Sequence, residues 1–373
     1  MIEDLAIILD GRPLTFYPLG KPGFHGGTEL YVQKLAHGLA GLGHTLHIIT
    51  NDLEHEEQRG PTEWWWGAHN HPTHADVVMA VSTLETISDL VAPVLVFLPN
   101  GIDPPLFGRG HMVDAVACFS QNHIDLMCRL RPELPAARCH ITGLGVDLDE
   151  YPWPPAPFIP GRMLYANDPA RGLLPTLNIF ERVKTKVPEA TLHITYDFDR
   201  QFAQHQWGAR CMSEILWECK GRIEADDAIV SVGGLTHDRL VGEERACDVY
   251  AYPSDPPNTG SQIHGMAQIE LAAAGAPLVL SDIEAFPEVF GAAAKLLPVV
   301  GSLRKQAGPT DLERVDAQDW ADVVIAIMRD DKTRQAMSKR SRALAEKHTW
   351  GHVVERFQTM LQGLAAERLE AIA

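Results

Sequence analysis

The stretch 247–291, CDVYAYPSDPPNTGSQIHGMAQIELAAAGAPLVLSDIEAFPEVFG, decides how the rest of the chain is read. Asp248–Tyr252 has the pattern of a buried strand, which Pro253 breaks. Ser, Asp, Pro, Asn and Gly follow, the residues of turns. From about Gly265 the spacing becomes helical: Met266, Ile269 and Ala273 share one face, and Gly275 supplies the stop. Pro277–Leu280 is a second apolar strand. Strand, loop, helix and strand make half of a parallel α/β unit, so the loop and the helix start lie at the carboxyl edge of a sheet. Open α/β sheets bind ligands at that edge. Free N–H groups and a positive dipole end suit the helix start to a phosphate, and Gly265 lets an anion approach the backbone. Glu270 sits far enough along the helix to reach a sugar hydroxyl instead. The same pattern also fits an ordinary buried βαβ unit with a surface glutamate.

Composition sets the bounds. A chain of 373 residues, 45% apolar and 22% charged, predicts a soluble protein of two domains. No apolar run approaches the roughly 20 residues that span a bilayer. The N-terminus runs straight into a short strand without a basic segment, so no signal peptide is expected. Six cysteines, none in a C-x-x-C pair, are read as reduced thiols in a cytoplasmic protein. A net charge of −17 argues against a broad nucleic-acid surface. No strongly basic amphipathic helix stands out, which leaves peripheral membrane contact open.

Taken in order, Leu5–Leu9 is a central parallel strand. A glycine-rich passage over 20–29 leads into a helix through Leu42, with Leu30, Val32, Leu35, Leu39 and Leu42 at helical spacing. Leu46–Thr50 is the next strand. Trp64, Trp65 and Trp66 form a run that could stack on a sugar or cap a loop. His69, His71, His74 and Asp76 match no standard metal-ligand spacing, and no metal site is expected. Strands follow at Asp76–Val81 and Val94–Leu98, then at Val113–Ser120. Five prolines within 151–160 exclude a helix or an inner strand and read as a domain linker. A second domain opens with strand Met163–Ala166 and a helix over Leu173–Val187, and continues with strand Ala190–Thr195. A charged helix pair over 199–225 comes next, then helices at 317–330, 332–347 and about 351–370.

Two motifs carry a resemblance. Tyr252-Pro-Ser254, Gly265, Glu270, Leu271-Ala272, Gly275, Pro277-Leu-Val279 and Glu288 fall in register with the donor-site motif of family 4 glycosyltransferases. At the other end of the chain, GGTELYVQKLAHGLAGLGHTLHIIT from Gly26 is similar to that family's N-terminal motif. The resemblance implies the GT-B fold: α/β, with two Rossmann-like domains whose parallel sheets face a cleft. The expected domains are an acceptor domain over 1–155, a donor domain over 156–348 and a helix over 349–373 that crosses back to the first.

The activity implied is transfer of a sugar, with retention of configuration, from a nucleoside-diphosphate-sugar to an unidentified acceptor, without metal or other cofactor. Same-face attack, with the leaving phosphate taking the acceptor proton, needs no side-chain nucleophile. Gly26 and Gly27 reach for the donor's diphosphate. Asn167–Leu173 resembles the family's phosphate-binding loop, and Arg171 can hold two phosphate oxygens at once. An arginine at a helix start can equally pair with a local carboxylate. Gly233, Gly234 and Leu235 seat the base through backbone groups. His264, Gly265, Met266 and Ala267 meet the phosphates, and Glu270 the ribose. Gln262 stands where the family has the first glutamate of a pair, and so keeps an acceptor but loses the charge. By resemblance Gly27, Arg171 and Gln262 carry the catalysis, and His25, Asn100 and His123 lie on the acceptor side. Ala166 and Pro99 also depart from the family pattern, which favours the alternative of a sugar-nucleotide-binding subunit without turnover. A nucleotide-sugar epimerase is the remaining alternative.

Overall fold

Runs of Ile, Val and Leu that are buried on both faces suit parallel pairing, and both halves of this chain use them so. The computed structural model describes residues 4–12, 26–51, 57–155, 157–196, 210–254, 262–298 and 316–372. The chain divides into two units, Met1–Gly145 with His348–Ala373, and Val146–Lys347.

The first unit contains β1 (Ala6–Asp10), α1 (Gly27–Gly41), β2 (Thr45–Thr50), β3 (Glu57–Gln58), β4 (Glu63–Gly67) and β5 (Val77–Val81). Then come β6 (Val94–Leu98), β7 (Ala115–Cys118), α2 (Gln121–Leu130) and β8 (Cys139–Ile141). The eight strands form one sheet in the order β3-β4-β2-β1-β5-β6-β7-β8. Among these pairings only β3 with β4 is antiparallel. Ile7, Ile8 and Leu9 of the central strand are fully buried. The tryptophan run is not a loop cap but strand β4. Trp65 is buried, its indole N–H donating to Glu63 Oε1 at 2.8 Å, while Trp64 and Trp66 stack on the opposite face, 6.3 Å apart.

In the second unit the elements are β9 (Arg162–Tyr165), α3 (Leu173–Lys186), β10 (Thr191–Ile194), α4 (Arg210–Ala225), β11 (Ile229–Ser231) and α5 (His237–Ala246). They continue with β12 (Tyr250–Tyr252), α6 (Met266–Ala273), β13 (Leu278–Ser281), α7 (Phe286–Phe290), β14 (Lys295–Leu297), α8 (Ala317–Arg329) and α9 (Asp331–Ala345). The strands pair in parallel as β11-β10-β9 and β12-β13-β14, and a parallel bridge from Met163 to Val249 sets β9 beside β12. The resulting order is that of a doubly wound sheet, and its direction reverses between β9 and β12. Of the expected helix pair over 199–225, helix α4 is described; residues 197–209 lie outside the described set.

The proline-rich segment is bound to the second unit rather than free. Tyr151 is 1% exposed and its hydroxyl lies 2.5 Å from Glu244 Oε2. The Arg334 guanidinium sits over the Phe158 ring, and Ile159 N–H donates to the Ala246 carbonyl. The first unit therefore ends at Gly145, ahead of the prolines. The last helix, α10 (Trp350–Ile372), belongs to the first unit. Trp350 and Phe357 pack around Tyr31, and Arg356 donates to the Thr142 carbonyl at 3.1 Å.

Candidate functional site

In the second unit the reversal of strand order places two loops side by side, one after β9 and one after β12. Gly172 shows how close they come. Its φ is +140°, and a Cβ there would stand 3.0 Å from the Pro253 carbonyl oxygen. The turn before it, Pro169–Arg171, is closed by Arg171 N–H donating to the Asp168 carbonyl at 2.8 Å. The Tyr165 hydroxyl donates to the same carbonyl at 2.7 Å. A tyrosine from the strand core thus fixes the loop that carries Arg171. Burial raises the pKa of the Tyr252 phenol and the Arg171 charge opposes that rise, which sets the guanidinium near Tyr252. Arg171 Nε is buried and has no hydrogen-bond partner among the described residues. A buried donor left unpaired costs about 1–3 kcal/mol unless something satisfies it, and an anion is the natural partner for a guanidinium.

The loop after β12 returns to the sheet at Gln262, which is buried. Its amide nitrogen donates to Ser254 Oγ at 2.8 Å and to the Tyr252 hydroxyl at 3.2 Å, and its main-chain N–H donates to Glu284. The position that departs from the family pattern therefore ties the loop to its strand. Gly265 follows as the N-cap of α6, with φ +136°. An added Cβ would stand 2.6 Å from Gln268 Oε1 and 3.3 Å from the Phe290 ring. Glycine has no side chain with which to cap, so the N-cap residue itself leaves the first N–H groups of α6 unoccupied. Met266 and Ala267 are half-buried there, and His264 is buried with its ring edge-on to Phe290. Gln268 and Asn167 both donate to the Tyr250 hydroxyl, which links the helix start to the arginine loop.

Glu270 is 7% exposed, deeper than a surface glutamate. Close by is Glu244, fully buried, whose pKa is raised well above the usual carboxyl range by burial and then by the Glu270 charge. Tyr151 holds Glu244 by the hydroxyl contact already described. Gly233, Gly234 and Leu235 follow edge strand β11 on the same carboxyl rim, and Gly233 has φ +71°. Strand spacing of about 4.8 Å puts that loop roughly 10 Å along the rim from the end of β9. The order along the rim is glycine loop, arginine turn, bare helix start.

In the first unit Gly26 is the N-cap of α1 and Gly27 its first residue; an added Cβ on Gly26 would overlap the Glu29 carboxylate. Asn100 Nδ2 lies 3.5 Å from Thr28 Oγ1 at the same helix start. His25 lies outside the described residues. His123 does not face solvent. It is fully buried, its Nδ1 accepts from Phe119 N–H at 3.2 Å, and its Nε2 donates to the Gly101 carbonyl at 3.2 Å. Burial lowers its pKa to about 4, against the opposing Gly101 bond, so the ring is neutral and structural. Among the described residues no group of three or more His, Cys, Asp or Glu could hold a metal ion.

Sequence reasoning missed one constellation. Arg12, just beyond β1, donates to Asp10 at 2.8 and 3.0 Å, to Asp89 at 2.9 and 3.0 Å, and to the Thr86 carbonyl at 2.5 Å. Thr86 Oγ1 donates to Asp10 at 2.6 Å. A buried Asp at a strand end followed two residues later by Arg was the available signal.

No protein-family model matches the chain. Phosphatidyl-myo-inositol mannosyltransferase of Mycobacterium tuberculosis (strain ATCC 25618 / H37Rv) is 25% identical over 201 residues, 53% of this chain and 45% of that one. The Mycobacterium leprae protein of the same name is 26% identical over 167 residues, 42% of this chain and 40% of its own. The chain spans less than half the length of these curated relatives. Among solved structures, sucrose-phosphate synthase from Thermosynechococcus elongatus superposes with a TM-score of 0.71 at 15% identity, covering 97% of this chain and 99% of that one. Anabaena HepE in complex with UDP and glucose gives 0.64 at 13% identity over 96% and 100%. The fold is that of the GT-B glycosyltransferases. The resemblance to family 4 drawn from the two motifs is borne out by these relatives.

Proposed function

We propose that this protein is a glycosyltransferase that takes its sugar from a nucleoside-diphosphate-sugar held by the second unit. The observation that carries the reading is the Arg171 guanidinium, its Nε buried and unpaired among the described residues, on the loop adjoining the one that leads into the N-terminus of α6, which has a glycine cap. Departure of a nucleoside diphosphate builds negative charge, and preorganised N–H groups with one cation are what stabilises it. Two comparisons support the donor class: the mycobacterial relatives are named mannosyltransferases, and the Anabaena neighbour was solved with UDP and glucose. In this reading Arg171 and the backbone of Gly265–Ala267 meet the diphosphate, Glu270 the ribose, and Gly233–Leu235 the base. The first unit binds the acceptor. Transfer proceeds with retention by same-face attack, the leaving phosphate accepting the acceptor's proton, and needs neither metal nor other cofactor. The protein works in the cytoplasm. No helix among the described residues is long and apolar enough to cross a membrane.

Gln262 favours one other reading. Its amide nitrogen is committed to Ser254 and Tyr252, which fits a subunit that binds a sugar-nucleotide without turning it over. Incubation with a panel of nucleotide-sugars separates the outcomes. Free sugar and nucleoside diphosphate in slow hydrolysis, accelerated by an acceptor, support transfer. Tight binding with no product supports the binding subunit. A new epimer contradicts both.

A further inference from the structure

Three of the cysteines meet in the first unit, where neither the fold nor the proposed transfer uses a thiol. Cys118 ends β7, Cys139 begins β8, and Cys128 lies in the last turn of α2. The register sets Cys139 opposite Val116, so Cys139, Val116 and Cys118 point to one face of the sheet. That face packs on α2 through Ile124 and Met127. Cys128 Sγ comes within 3.8 Å of Cys139 Sγ. Cys118 is buried, whereas Cys128 and Cys139 are both half-buried. Cys139 also lines an open groove of about 1240 Å³ beside Arg138, His140 and Arg356. Hydrogen bonds from Cys118 and Cys128 draw the Cys139 pKa down to about 7 against the effect of burial, while burial pushes Cys128 up to about 11. These directions, with the groove beside Cys139, favour Cys139 as the attacking sulfur and Cys128 as the resolving thiol. Reactivity follows thiolate character and access together.

We propose that Cys139 and Cys128 form an oxidative modification site, in which a hydroperoxide converts the two thiols into an intrachain disulfide. The Cys139 thiolate attacks one peroxide oxygen; the O–O bond breaks, an alcohol (or water) leaves with one proton, and Cys139 becomes a sulfenic acid. Cys128 sulfur then attacks Cys139 sulfur, the S–O bond breaks and water leaves. Two thiols lose two electrons and the peroxide gains them. The Sγ atoms stand 3.8 Å apart, against about 2.05 Å in a disulfide bond. The bond joins the end of α2 to the edge strand.

The test is hydroperoxide treatment of the full chain, quenching with a thiol-alkylating reagent under denaturing conditions, and peptide mapping by mass. Alkylated thiols should fall from six to four, the loss should reverse with dithiothreitol, and tryptic peptides ending at Arg129 and starting at Cys139 should be joined. Cys118 shares the first of these peptides, so variants decide the partner. The link should persist in Cys118→Ser and vanish in Cys128→Ser and in Cys139→Ser. A link lost in Cys118→Ser, a link only between chains, or Cys139 oxidised to sulfinic acid without a link overturns the proposal. Non-reducing electrophoresis and the peptide map of the wild-type chain give the last two results without any variant.

Discussion

Two arginines occupy comparable places in the two units, each just beyond the first strand of its sheet, and they are held in opposite ways. Arg12 is closed in by Asp10, Asp89 and the Thr86 carbonyl. Burial works against its charge, but hydrogen bonds to Asp10 and Asp89 outweigh it and raise its pKa. Arg171 lies next to a backbone-lined rim with its Nε buried and unpaired among the described residues. A guanidinium held by two carboxylates is largely committed, whereas one with an unpaired donor can take an anion. On this contrast we assign Arg12 a structural role and propose Arg171 for the ligand, although by sequence each is an arginine after an apolar strand.

The sharpest way to break the comparison is Arg12→Ala. Removing one partner leaves Asp10, which is 0% exposed, buried without its counter-charge. The expected loss is about 3–5 kcal/mol of stability by denaturant unfolding, with nucleotide affinity unchanged in whatever fraction folds. Weaker nucleotide binding by that folded fraction would show that the two arginines do not divide the work in this way.

Gly265→Val should come next. The position needs a φ of +136°, and a side chain meets Gln268 and Phe290. The strain of about 1–3 kcal/mol should appear as a lowered Tm together with loss of nucleotide-induced stabilisation. Gly101→Val in the first unit, where an added Cβ meets nothing within 4 Å, is the control and should leave nucleotide binding intact.

His123 gives the first unit an acid sensitivity. Its folded pKa of about 4 lies below the ordinary 6.5, so the unfolded chain takes up a proton first as pH falls. Stability should therefore drop between pH 6.5 and 4, by about 2 kcal/mol on going from pH 7 to 5. Unfolding curves at the two pH values check it, and His123→Asn should flatten the difference.

The smallest effect is expected at Glu244. Its raised pKa means that the folded state keeps a proton which the unfolded state releases, so its contribution to stability falls as pH rises above the ordinary carboxyl value of 4.5. Glu244→Gln mimics the neutral acid and should make that fall shallower, as denaturant unfolding at several pH values will read.

Much of this fold was legible in the sequence, because buried parallel strands leave continuous apolar runs and helices a periodic face. Ile7–Leu9, Val77–Val81 and Leu278–Ser281 are such runs. Strand β4 was not legible: three tryptophans in a row show no alternation, and only pairing with β2 buries Trp65 and turns its neighbours outward. His123 was misread for a related reason. It shares the buried face of α2 with Ile124, Leu126 and Met127, and that spacing was there to be seen. The proline-rich segment was read from its breakers, whereas Tyr151 and Phe158 decide where it packs. At the candidate site the glycines and Arg171 announced themselves by motif. The commitment of Gln262 to Ser254 and Tyr252, and the network of Arg12 with partners 74 and 77 residues away, depend on contacts that no local pattern encodes.

The most direct measurement is calorimetric titration of the full chain with a panel of nucleoside diphosphates in the presence of a chelator, repeated with Arg171→Ala and Glu270→Ala. The account predicts saturable binding to the unmodified chain, a loss of at least about a hundredfold in affinity in Arg171→Ala, where a charge-assisted bidentate contact disappears, and a weaker loss in Glu270→Ala, with both variants folded. Nucleoside diphosphate binding of undiminished affinity in folded Arg171→Ala would contradict it.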